Sequence, residues 1–167
     1  WFRLAAALAA KGDYETALGQ LHAAHAENIK VRGEDHISNA DYLRSIALNE
    51  IRRGHRDKAG VYLQKALHIA GPENGATLRE LGRLKMLNGD YAAAMADVGR
   101  ALGHVAPAEA LRTQLGLAQA LACGGDLTEA ERVARAALGS SRGGRAKEGG
   151  GSADVGKASL MLAHVLD

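Results

Sequence analysis

The stretch from Leu4 to Ala24, LAAALAAKGDYETALGQLHAA, decides the fold. Leu4, Ala5 and Leu8 share one face of a helical pattern, which Gly12-Asp13 interrupts. Ala17, Leu18, Leu21 and Ala24 then mark the face of a second helix. Working outward, the same four columns recur down the chain. A small residue stands at Ala5, Ala47, Gly82 and Ala118, followed by a glycine at Gly12, Gly54, Gly89 and Gly125. Two alanine columns follow, at Ala17, Ala59, Ala94 and Ala130, and at Ala24, Ala66, Ala101 and Ala137. Every cell is filled, and the units are spaced by 42, 35 and 36 residues. A repeat of this period, written in small residues and turn glycines, predicts pairs of amphipathic helices whose backbones approach closely.

The spacing predicts helices over 1–11, 14–31, 38–53, 56–70, 75–88, 91–104, 107–123, 127–138 and 154–166. Pro72 and Pro107 fall between pairs, where a missing N–H does no harm. Residues 139–152 hold six glycines in fourteen and read as a flexible basic loop. Residues 153–167 read as the first helix of a further unit. Both ends fall inside helical patterns, as expected of a piece of a longer protein.

Composition agrees with an all-α reading. Aromatic residues make up 4% of the 167, there are two prolines, and β-branched residues are sparse. Lys and Arg number 21 against 19 Asp and Glu, a net +2 too balanced to point to nucleic acid or a membrane surface. No apolar run approaches the roughly 20 residues that span a bilayer. One cysteine excludes an intrachain disulfide and a multi-cysteine zinc site. The expected setting is intracellular and cytoplasmic.

The columns resemble the tetratricopeptide repeat, whose signature runs W-x2-L-G-x2-Y, then A-x3-F, then A and P. The four units read Trp1-x2-Leu4-Ala5-x2-Leu8, Leu43-x2-Ile46-Ala47-x2-Glu50, Leu78-x2-Leu81-Gly82-x2-Lys85 and Gln114-x2-Leu117-Ala118-x2-Leu121. Their second halves read Ala17-x3-Leu21, Ala59-x3-Leu63, Ala94-x3-Val98 and Ala130-x3-Ala134. Gly33-Glu34-Asp35-His36, followed by Ala40 and Leu43, is similar to the linker of the 42-residue repeats of kinesin light chains, a likeness which implies that His36 caps or braces the linker. Gly71-Pro72-Glu73-Asn74 echoes it. Where that subclass carries paired asparagines, this chain has Arg44-Ser45, Arg79-Glu80 and Leu115-Gly116.

The resemblance implies a right-handed superhelical solenoid of about four helix-turn-helix units plus the first helix of a fifth. The array would span 1–138, with units at 1–31, 38–70, 75–104 and 107–138. In such an array the first helix of each pair lines the concave side. The positions left there, once the packing columns are removed, are Arg44, Leu48, Arg52, Arg79, Arg83, Met86, Arg112, Leu115 and Gln119. Asp41 and Glu80 are the few acids among them. Recurring arginines suit a peptide or protein partner that is acidic or phosphorylated, since guanidinium groups bind carboxylate and phosphate bidentately. The expected function is a non-enzymatic interaction scaffold. The alternative is the regulatory or sensor arm of a larger signalling protein, ATPase-linked or transcriptional. Self-association is expected through apolar ends around Trp1-Phe2 and around Leu160, Leu162 and Val165.

Signals of chemistry are weak. Gly151–Ala158 nearly spells a phosphate-binding loop but ends in Ala158, which lacks the hydroxyl that holds magnesium. His22 and His25 lie one turn apart without a third metal ligand. Cys123, beside Gly124-Gly125, has no evident base. The expectation is therefore no catalytic residue, no metal and no cofactor.

Overall fold

The computed structural model describes residues 2–144. Among them are eight α-helices and no strand: α1 (Phe2–Ala10), α2 (Tyr14–Arg32), α3 (Ser38–Arg52), α4 (Arg56–Ala70), α5 (Gly75–Leu87), α6 (Tyr91–Leu102), α7 (Pro107–Cys123) and α8 (Leu127–Gly144). The chain is an all-α helical repeat, with helix ends mostly within two residues of expectation. It divides inside α5 into two compact units, Trp1–Glu80 and Leu81–Asp167.

The largest departure is α8, which runs on to Gly144 through the first part of the stretch expected to be a loop. That stretch contains no proline, and glycine inside a helix costs only about 1 kcal/mol relative to alanine, which does not forbid continuation. The remaining loop residues, the near-miss phosphate loop at 151–158 and the expected helix over 153–167 lie outside the described residues. So do Trp1 and the apolar positions Leu160, Leu162 and Val165.

Within the first unit, α1 packs on α2, α2 on α3 and α3 on α4; within the second, α6 packs on α7 and α7 on α8. Every alanine of the repeat columns is buried, and so is Gly82. One core of the first unit gathers Ala5, Ala9, Ala17, Leu18, Leu21 and Ile46. A core of the second gathers Ala118, Leu121, Ala130, Val133 and Ala134. Truncating a side chain as fully buried as Leu21 or Ile46 to alanine costs about 2–5 kcal/mol. Gly82 is the tightest of the small positions. A methyl there would collide with the Val98 side chain and stand 3.1 Å from the Ala94 carbonyl oxygen. Even alanine, which serves this column elsewhere, does not fit.

The turn within each pair is built the same way four times. Gly12, Gly54, Gly89 and Gly125 take φ between 82° and 93°, a left-handed conformation that costs glycine least. The amide after each glycine then donates back to the carbonyl five residues earlier: Asp13 to Leu8, His55 to Glu50, Asp90 to Lys85 and Asp126 to Leu121, at 2.9–3.0 Å. The residue that closes one helix also opens the next. Asp13, Asp90 and Asp126 each accept from the backbone N–H three residues on, at Thr16, Ala93 and Glu129.

Candidate functional site

The side chains expected to meet a partner lie on α3, α5 and α7. On α3 (first unit), Asp41, Arg44, Leu48 and Arg52 follow helical spacing along one stripe. Leu48 is half-buried and Arg52 exposed. The Arg44 Nη2 is 2.9 Å from the Asp41 Oδ1, and the Ser45 hydroxyl donates to the Asp41 carbonyl at 2.9 Å. On α5 (first unit), the Arg79 Nη2 is 3.2 Å from the Glu80 Oε1. Glu80, expected on an open face, is buried instead, and both of these side chains are largely covered. In the second unit, Arg83 of α5 and Arg112 and Gln119 of α7 are exposed, and Met86 is half-buried.

Leu115 corrects the expectation. It is 7% exposed and packs with Ala137 of α8, alongside Leu111 and Leu138. Its column explains why. Arg44, Arg79 and Leu115 each stand three residues before the small residue of their unit, one turn along the same face, so the column leans inward. An arginine there reaches past the packing surface with its stem and pairs its head with a carboxylate, whereas a leucine finishes in the core.

Three groupings were not foreseen as units. Glu50, in the column where the resembling family carries tyrosine, is buried on α3. Its Oε2 is 2.8 Å from the His55 Nδ1 and 3.6 Å from the Arg53 Nη1, and Arg53 also pairs with Glu15 of α2. His55 stands where the other turns have aspartate and makes no side-chain cap. In the second unit, Lys85 holds the nearly buried Asp97 at 2.6 Å. The third grouping braces the linker between α2 and α3. The Asn39 Nδ2 donates to the Gly33 and Glu34 carbonyls at 2.8 Å each, and Asn28 donates to Asn39 and Ser38 at 2.7 and 2.8 Å. The Ser38 hydroxyl lies 2.8 Å from the His36 Nδ1, so His36 does brace the linker. Glu50–His55 is readable as a column exception. The Asn28–Asn39 bond is not readable, because nothing in the sequence couples two asparagines across a turn of unknown geometry.

His22 faces the Tyr62 ring and His25 the Tyr42 ring, each with centroids 5.9 Å apart. Burial, then the charges of His22 and Lys65, holds the His25 imidazole below its ordinary pKa. Among the described residues no group of three or more His, Cys, Asp or Glu is placed to hold a metal ion, and no helix is long and apolar enough to cross a membrane. Cys123 is exposed at the end of α7.

No protein-family model matches the chain, and no curated protein matches it either. Solved structures do. A Podosopora anserina protein named for kinesin light chain, built of nearly identical TPR-like repeats, is 20% identical over 98% of this chain and 82% of its own, with a TM-score of 0.74. BtubC from P. vanneervenii is 20% identical over 89% of this chain and 64% of its own, at a TM-score of 0.71. A thermophilic TPR protein of Thermus thermophilus is 18% identical over 99% of this chain and 96% of its own, at 0.60. With helix pairs, buried alanine columns and a shared turn already in place, this likeness identifies the fold as that of the tetratricopeptide helical repeat.

Proposed function

We propose that the chain is a non-enzymatic protein-interaction scaffold whose partner is a peptide or protein segment carrying carboxylates. The observation that carries this reading is the division of labour on the first helix of each pair. The alanine columns and their leucine neighbours are consumed by packing, while the positions beyond them, Arg52 on α3, Arg83 on α5 and Arg112 on α7, stay exposed and cationic. Half-buried Leu48 lies one turn from Arg52 on α3, and half-buried Met86 one turn from Arg83 on α5, each offering apolar contact beside its own charge. Each exposed arginine contributes modestly in water, so affinity on this reading is a sum of several weak contacts.

Selection from a displayed library of random peptides tests this. Enriched sequences should be acidic, and Arg52→Glu, Arg83→Glu and Arg112→Glu together should abolish their binding while the circular-dichroism spectrum stays helical. Enrichment of neutral or basic peptides, or binding indifferent to the three reversals, overturns the assignment.

A further inference from the structure

Resting on that reading, we infer that Asp41 is a built-in competitor for the ligand at Arg44, so that the face of α3 admits a carboxylate only by exchange. Two arginines of the first unit occupy the same repeat column and both are already paired, but their pairings differ in kind. The side chains of Arg79 and Glu80 are 14% and 11% exposed. Removing a partner from so covered a carboxylate strands a charge away from water, so this pair is locked. Arg44 is 24% exposed and its partner Asp41 is 54% exposed. A carboxylate that wet loses little when it lets go, because water takes over its hydration. Both belong to one helix at a spacing of three residues, and surface pairs of that kind are individually weak.

An incoming carboxylate at Arg44 must therefore displace Asp41 and then sit beside its negative charge. Bidentate ligands manage this better than single-point ones, since two parallel N–H···O bonds can replace the contact that Asp41 makes at 2.9 Å. Asp41 thus acts as a filter. It suppresses weak, non-specific anions at Arg44 and leaves Arg52, two turns further along the same stripe, as the unfiltered contact.

Fluorescence anisotropy of a fluorescein-labelled oligo-glutamate peptide tests this at low ionic strength. Asp41→Asn should tighten binding by roughly three- to tenfold, the range expected when one like charge a few ångströms from the ligand is removed. The gain should vanish in the double variant Asp41→Asn/Arg44→Ala, and helix content by circular dichroism should match the parent in both. If Asp41→Asn leaves affinity unchanged while Arg52→Glu weakens it, the competitor role is wrong and the scaffold reading stands. If binding is indifferent to Arg52→Glu and to Asp41→Asn alike, the acidic-partner reading fails with it.

Discussion

The turn at Gly12-Asp13 and the turn at Gly54-His55 lie in the same unit and share one backbone. Asp13 and His55 have φ, ψ of −83°, 70° and −85°, 67°, and each amide closes the same bond to the carbonyl five residues back. Their side chains do opposite things. Asp13 turns forward and caps α2; His55 turns back and holds the buried carboxylate of Glu50. In the first turn the position of Glu50 is taken by Leu8, which needs no partner. The glycine and the main chain make the turn, and the capping residue is free to be traded, provided the residue five places earlier is traded with it.

That coupling predicts the largest effect. His55→Asp in the parent brings a second carboxylate against Glu50 and should cost about 2 kcal/mol, since Arg53 at 3.6 Å is already shared with Glu15. In a Glu50→Leu background the same substitution recreates the Leu8/Asp13 arrangement and supplies the missing side-chain cap at the Lys58 amide. It should then stabilise by about 1 kcal/mol. Urea unfolding of the four proteins closes the cycle, and the sign of the His55→Asp effect should invert between backgrounds. Equal costs in both would mean that the two side chains act independently.

Next in size are Gly12→Val and Gly54→Val. A β-branched residue at φ above 80° is strained wherever it sits, and neither position has any neighbour within 4 Å of an added Cβ. Each should lose about 2 kcal/mol, and the two losses should agree, because the backbone is the same. A clear difference would show that side chains share in making the turn. Asp13→Ala follows, at about 1 kcal/mol for a lost cap, whereas His55→Ala should leave the Lys58 amide as it was and act only through Glu50.

How much of this could be read from the sequence follows from what the residues do. The columns of small residues were legible because close helix packing admits nothing larger, and the glycines because a left-handed turn excludes nearly everything else. Leu115 was misread for a reason in the same geometry. Removing the strict packing columns left a partly inward column that looked like surface, since arginine fills it in two units and only leucine reveals its depth. Glu80 was misread likewise: a carboxylate suggests solvent until the guanidinium beside it is seen. The pairing of Arg44 with Asp41 was implicit in a spacing of three on one helix, but how covered each partner would be depends on neighbouring helices that the spacing does not name.

The smallest effect lies beside the two turns, at His25, half-buried on α2 of the same unit. Burial, His22 and Lys65 all keep its folded pKa below the ordinary histidine value. The unfolded chain therefore binds the proton more readily, and stability rises with pH through this range. His25's contribution is present above about pH 6.5, the unfolded value, and is lost as the pH falls towards the lower folded one. His25→Gln should flatten the dependence of the melting temperature between about pH 7.5 and about pH 5.5 without moving its upper plateau far. If the slope between those pH values persists unchanged in His25→Gln, His25 does not carry it.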